Sequence, residues 1–395
     1  MRYTDPMGYK TYTCPIDKRC GGCELLAVPY ERQLQRKQQA MDELFAEVIE
    51  QDGATMEPIA GMEKPLGFRH KAATPYAPGS RAAGGHMRCG FYARGTHRIV
   101  FCRSCLTERQ GLREVLLDVA RVAENLHIRA YEEDKGKGVL RHAVVRGGYA
   151  TNDVLLTIVT NGGSMPRAKE FIGRLRKLHP ELTSVVQNVN DRRTNAILGT
   201  RNNTLWGAGI MHDELLGSTF EIGPTSFYQT NPAQTEVLYR LAIEGAGDAD
   251  RLLDAYCGTG TIGICAAASR PNMHVVGVEQ VSGAVGCARR NARANDLADR
   301  CSFTCADATE WMSHQGRASF DAVILDPPRA GSTPEFLAGV ARLAPKRVVY
   351  VSCNPITQAR DLAVLRQAGY RVQSIAPVDM FPHTKHVETV CLLTH

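Results

Sequence analysis

A chain of 395 residues is too long for one ordinary domain and implies two or three. Its 44% hydrophobic and 22% charged residues are those of a soluble globular protein, and no apolar run reaches the length of a membrane span. The net charge of +6 admits a nucleic acid partner without requiring one.

The opening Met1-Arg-Tyr-Thr-Asp-Pro6 has no apolar signal-peptide core, so a cytoplasmic location is expected, with no membrane partner. In a reducing compartment the 13 cysteines argue for metal binding or chemistry rather than a disulfide framework. Six of them lie in the first 105 residues, beginning with Cys14, Cys20 and Cys23 in a C-x5-C-x2-C run. Gly21 and Gly22 allow the backbone to curl round one metal centre, and Cys89, Cys102 or Cys105 can complete four thiolates. Zinc and an iron–sulfur cluster both suit that set.

Residues 29–49 read as an amphipathic helix, with Leu34, Met41, Leu44, Phe45 and Val48 at helical intervals. Gly67-Phe-Arg-His-Lys-Ala72 and the stretch 89–98 then interleave basic and aromatic residues. That mixture suits base stacking with phosphate neutralisation, and equally a solvated strand face. A second helix is expected over 103–128 and a third over 166–178. Strands are expected at 139–146, 153–160, 184–189, 196–198 and 220–222, giving an α+β middle region.

After Ser226-Phe-Tyr-Gln-Thr-Asn-Pro232 a helix begins near the proline, and strands and helices then alternate. This predicts a mostly parallel, doubly wound sheet. Arg251-Leu-Leu-Asp-Ala-Tyr-Cys-Gly-Thr-Gly-Thr-Ile-Gly263 reads as strand, glycine turn and helix start, and the next strand ends at Glu279, an acceptor for a ribose diol. NAD is one possible ligand. Asp254 and Asp307 favour S-adenosylmethionine, whose ammonium group wants a carboxylate and whose adenine amino group wants an acceptor.

Two further strands end in chemistry. Leu325-Asp-Pro-Pro-Arg329 holds Asp326 at a sheet edge, as a site residue or a turn residue. Val348-Val-Tyr-Val-Ser-Cys-Asn-Pro355 stops a buried strand at Cys353, a nucleophile if activated and otherwise a small buried apolar residue. Near the end of the chain Glu388 interrupts an apolar series, where burial would raise its pKa and suit a general base. His383 and His386 are as readily structural as catalytic.

Taken together these motifs resemble the RNA uracil-5 methyltransferases over nearly the whole chain. The resemblance rests on Cys14-x5-Cys20-x2-Cys23, Ser226-Phe-Tyr-Gln-Thr-Asn231, Asp254-Ala-Tyr-Cys-Gly-Thr-Gly260, Leu325-Asp-Pro-Pro-Arg329, Ser352-Cys-Asn-Pro355 and Asp379-Met-Phe-Pro-His-Thr-Lys-His-Val-Glu388. It implies Cys353 as nucleophile and Glu388 as base. It also implies S-adenosylmethionine on Gln229, Tyr256, Glu279, Asp307 and Asp326, and a [4Fe-4S] cluster on Cys14, Cys20, Cys23 and Cys105. Thr261 stands where the family often has Asn. Only 13 residues precede Cys14, so the N-terminal TRAM barrel of many relatives is expected to be absent.

The expected architecture is therefore α/β. It comprises an iron–sulfur region over 1–108, helical over about 30–65 where it packs on the methyltransferase domain, an α+β RNA-binding domain over 109–225, and a Rossmann-like methyltransferase domain over 226–395. The expected substrate is a uridine in 23S rRNA, with the chain acting as a monomer; a uridine in tRNA is the alternative. Two readings from other classes stand beside it: an amino-group methyltransferase, which needs no thiol at Cys353, and a non-catalytic iron–sulfur RNA-binding protein.

Overall fold

The computed structural model describes residues 2–4, 10–80 and 84–395. Half of the opening stretch read for a signal peptide, residues 1 and 5–6, lies outside them. No helix among the described residues is long and apolar enough to cross a membrane.

The C-terminal half builds an eight-stranded sheet. Its spatial order is Cys301–Cys305, His274–Glu279, Arg251–Ala255, Ala322–Leu325, Arg347–Ser352, Glu388–Thr394, Arg371–Val378 and Thr55–Met56. The first five run parallel, and Glu388–Thr394 is antiparallel to both its neighbours. Strands such as Ala322–Leu325 and Arg347–Ser352 are apolar almost throughout because helices cover both faces. The chain reverses its direction of travel across the sheet between Arg251–Ala255 and Ala322–Leu325. Ligand clefts of open α/β sheets form at the carboxyl ends of strands flanking such a point.

The N-terminal segment belongs partly to this layer. Helices Tyr30–Leu44 and Ala46–Asp52, with Phe45 between them, put Met41, Phe45 and Val48 into its core, and Thr55–Met56 adds a short strand to its edge. The helical part stops at Gly53 (φ 68°) and does not reach 65. Asp52 fixes the junction, pairing with Arg366 at 2.9 Å and accepting from the Val372 N–H at 2.9 Å.

A second, six-stranded sheet runs Arg201–Trp206, Ser184–Val189, Val154–Thr160, Leu140–Gly147, Lys71–Ala77, Arg88–Cys89. Helices Leu112–Asn125 and Ala168–Leu178 cover one face. Its pairing cuts across the divisions expected at 108 and 225. Residues 71–77 and 88–89 are strands of this middle sheet. The hairpin Met211–Leu215/Ser218–Ile222 instead joins the core of the eight-stranded sheet, where Asn291 and Asn295 each accept a strand N–H at 2.8 Å.

Two local expectations fail for physical reasons. The helix expected over 103–128 spans only Leu112–Asn125, because Gly111 (φ 91°) breaks the run and Glu108 turns back to a buried ion pair with Arg113. Residues 196–198 form a loop, not a strand: Asn190 Nδ2 donates to the carbonyls of Ala196 and Ile197 at 2.7 and 3.1 Å. The strand lies further on, at Arg201–Trp206.

Candidate active site

Cys353 follows the last residue of Arg347–Ser352, and Glu388 opens the neighbouring antiparallel strand. Ser352 pairs with Thr389, so one further step of the ladder sets Cys353 beside Glu388. Asp326 follows Ala322–Leu325, the parallel neighbour on the other side. Three ends of adjacent strands thus bring a thiol and two carboxylates to one edge.

The electrostatics record that closeness. Burial, then the charges of Glu388 and Asp326, push the Cys353 thiol up, against an opposing pull from Arg329. Glu388 is 4% exposed, and burial followed by Asp326 raises its carboxyl to about 8. Asp326, partly open at the cleft wall, is raised by burial to about 7. Arg329 is the cationic neighbour of the thiol; it stands in the quoted Asp-Pro-Pro-Arg motif, but no role was predicted for it.

The glycine turn is built as expected. Tyr256 takes a left-handed backbone (φ 62°), its ring lies 4.8 Å from that of Phe336, and Gly258 (φ 55°) and Gly260 (φ 78°) complete the bend. A Cβ placed on Gly258 would meet nothing within 4 Å, so the turn presents an open cradle. The Gly258 N–H donates to Glu279 Oε2 at 3.3 Å, which places that carboxylate at the cradle's rim. Gln229 sits half-buried in the loop that leads into helix Pro232–Ala246.

Two acids differ from their simplest reading. Asp254 is 1% exposed and accepts from the Gly263 N–H at 2.9 Å, so it anchors the helix start beneath the turn and does not face an ammonium group. Asp307 lies at the same sheet edge but caps helix Ala308–Ser313, accepting from the Glu310 N–H at 3.0 Å. Thr261 shares a 2.7 Å hydrogen bond with the Tyr239 hydroxyl.

The loop that carries Glu388 is locked by the N-terminal helix. Lys37 pairs with Asp379 at 2.5 Å, the Tyr30 hydroxyl donates to Asp379 at 2.7 Å, and the His383 N–H donates to Gln33 Oε1 at 3.0 Å. His383 Nε2 lies 2.8 Å from the Pro65 carbonyl, and the Leu25 N–H donates to the His383 carbonyl at 2.9 Å, so this histidine is structural. The sequence signal was available: Tyr30, Gln33, Lys37 and Met41 share one helical face, an apolar stripe interrupted by polar groups. We expect Lys37→Met to cost about 3–5 kcal/mol in urea unfolding, because Asp379 is left buried and uncompensated, and the added Asp379→Asn change to recover part of it.

Cys14, Cys20, Cys23 and Cys105 are free, half-buried thiols. Cys14, Cys20 and Cys105 pack round Ile16, Val100 and Cys102. Burial, then Cys105 and, more weakly, the other thiols raise Cys23 to about 11. Cys102 is buried, with its Sγ 3.2 Å from the Ser104 carbonyl, as an apolar position demands. Among the described residues no three His, Cys, Asp or Glu stand ready to hold a single metal ion.

Comparison with known proteins agrees with this geometry. A family profile described as tRNA (Uracil-5-)-methyltransferase matches residues 217–395. An uncharacterized RNA methyltransferase of Halalkalibacterium halodurans is 40% identical over 96% of this chain and 82% of its own length. One from Bacillus cereus is 38% identical over 99% of this chain and 85% of its own. The structure of the Pyrococcus abyssi tRNA (uracil-54, C5)-methyltransferase in complex with S-adenosyl-L-homocysteine superposes with a TM-score of 0.77 at 30% identity, covering 98% of this chain and 88% of that one. The protein is thus an RNA methyltransferase. More narrowly, the chain belongs to the RNA uracil-5 methyltransferase family.

Proposed function

We propose that this enzyme methylates C5 of a specific uridine in 23S rRNA, with Cys353 as nucleophile and Glu388 as base. The observation that carries the reading is the ladder step that sets Cys353 beside Glu388. S-adenosylmethionine supplies an electrophilic methyl group. Gln229, Tyr256, Glu279, Asp307 and Asp326 hold it at the open cradle, with Asp307 contributing from its place as a helix cap. The Cys353 thiolate adds to C6 of uracil, and the electron pair pushed onto C5 makes that carbon nucleophilic. As C5 takes the methyl, the methyl–sulfur bond breaks and its pair leaves with the sulfur as S-adenosylhomocysteine; Glu388 then takes the C5 proton. The pair from that C–H bond forms the C5–C6 double bond and expels the thiolate. The uridine leaves its stack to reach the cleft.

Cys14, Cys20, Cys23 and Cys105 are proposed to hold a [4Fe-4S] cluster. Four free, mutually felt thiols fit it, and a cubane spreads its ligands wider than a single zinc ion does. Protein purified without air should be brown and contain about four irons per chain, as four-thiolate cubane ligation requires. Zinc in their place would overturn the assignment.

A tRNA uridine is the second reading, favoured by the likeness to the Pyrococcus abyssi enzyme. The deciding experiment deletes the gene and maps 5-methyluridine by mass spectrometry of rRNA and tRNA fragments. Loss at a 23S position supports the first reading and loss only in tRNA the second; no loss in either refutes both.

The acting forms of Cys353 and Glu388 are both deprotonated, and both groups are raised, Glu388 to about 8. Turnover should therefore climb from pH 6 to pH 8.5 by at least roughly tenfold to a hundredfold and go on rising beyond it, because the thiol is raised as well. A flat profile at saturating substrates would count against this pair.

A further inference from the structure

Lys71 and Arg146 are cross-strand partners in the middle sheet, so their side chains leave it on the same face. Arg146 is 5% exposed; its Nη2 donates to the Ser226 carbonyl at 2.7 Å, while its Nε is buried with no partner. Lys71 is half-buried, and burial followed by Arg146 pulls its ammonium group down to about 8. A third guanidinium is close: a Cβ on Gly147 would lie 2.2 Å from Arg109 Nη1.

Other cations among the described residues show the usual matching: the buried Lys37 has Asp379, the buried Arg113 has Glu108, the half-buried Arg366 has Asp52, and the buried Arg141 lies over the Tyr131 ring with two carbonyls on its Nη1. Among the described residues neither Lys71 nor Arg146 forms an ion pair with a carboxylate. Two like charges placed side by side in a partly desolvated site cost stability unless an anion completes them.

The position says which anion. The His70 N–H donates to the Thr230 carbonyl at 2.8 Å, and Arg146 grips Ser226, so the pair abuts the loop that carries Gln229. Phe227 of that loop is 72% exposed, and Tyr149, 42% exposed, packs edge-on to His70. Cations flanked by exposed rings suit a nucleic acid strand.

We propose that Lys71 and Arg146 form an anion site that receives a backbone phosphate of the RNA substrate beside the target uridine. The inference rests on the proposed RNA methylation and adds a named contact to it. It is tested on the full chain with Lys71→Met and Lys71→Arg, using a transcript that carries the target uridine. Lys71→Met should weaken RNA binding and flatten the slope of log affinity against log salt by about 0.7–0.9, the loss of one phosphate contact. Lys71→Arg should restore the slope, and S-adenosylmethionine affinity should be unchanged in both. Because Lys71 has no internal partner among the described residues, Lys71→Met should melt no lower than the unsubstituted protein.

An unchanged RNA slope in Lys71→Met overturns the proposal, as does a marked drop in its melting temperature, which would reveal an internal partner. Stabilisation of the unsubstituted protein by inorganic phosphate, with no change in the RNA slope of Lys71→Met, would assign the site to a free anion and equally overturn it. Failure of the methylation reading shows separately, as absence of methyl transfer by the unsubstituted protein.

Discussion

Cys353→Ala is expected to abolish methyl transfer, by about 10^4-fold or more, while S-adenosylmethionine binds as before. Uracil C5 is a poor nucleophile until C6 carries a thiolate, so no other group in the cleft can stand in for the sulfur. The side chain lies just past the end of a buried strand, and its loss removes only a small half-buried thiol. Folding and cofactor affinity should therefore survive, with a melting temperature close to that of the unsubstituted protein. Isothermal titration with S-adenosylmethionine and single-turnover transfer of a labelled methyl group separate the two effects. Retained turnover would remove the thiol from the mechanism and leave an amino-group methyltransferase as the better account.

The strand ends proposed to carry chemistry were legible as strand ends because their signals are local. A run such as Val348-Val-Tyr-Val351 before Ser-Cys-Asn-Pro, or Ala322-Val-Ile-Leu325 before Asp-Pro-Pro, states both the strand and its stop within ten residues. The pairing that matters most was not legible. Glu388 meets Cys353 because the last strand inserts antiparallel between Arg347–Ser352 and Arg371–Val378, and no local pattern encodes that insertion. The Lys37–Asp379 lock spans 342 positions of the chain and was hidden for the same reason. Lys71 and Arg146, which have no carboxylate partner among the described residues, likewise became visible only when the register set them opposite one another. Asp254 was misread because composition shows a carboxylate but not which way it faces; the buried Gly263 N–H claims it.

The glycine turn shows a related limit. Its spacing fits several nucleotide ligands. On the proposed reading the discriminating features are strand-end groups from elsewhere, Asp326 and Cys353, which the sheet brings to the same edge. Chemistry here is set by which strands become neighbours, and the individual motifs supply only the groups.

Glu388→Gln should separate the two halves of the reaction. The amide has the same shape but cannot accept the C5 proton, so the methylated adduct should form and then fail to collapse. Two features of the site favour this outcome over simple inactivity. Glu388 is one of the charges that raise the Cys353 thiol, so above about pH 8, where the native carboxylate is ionised, its replacement by an amide eases thiolate formation. Glu388 is also 4% exposed beside Asp326, and replacing a buried carboxyl by a neutral amide relieves like-charge repulsion instead of opening a cavity. A denaturing gel should show an RNA–protein band that carries a label supplied on the methyl group, accumulating toward one adduct per enzyme while free 5-methyluridine stays absent. A band without the methyl label would mean that the carboxylate is needed before methyl transfer, placing it with the thiol's activation. No band, with Cys353 still able to bind RNA in its neighbourhood, would move the base to Asp326, the other raised carboxylate at the same strand edge.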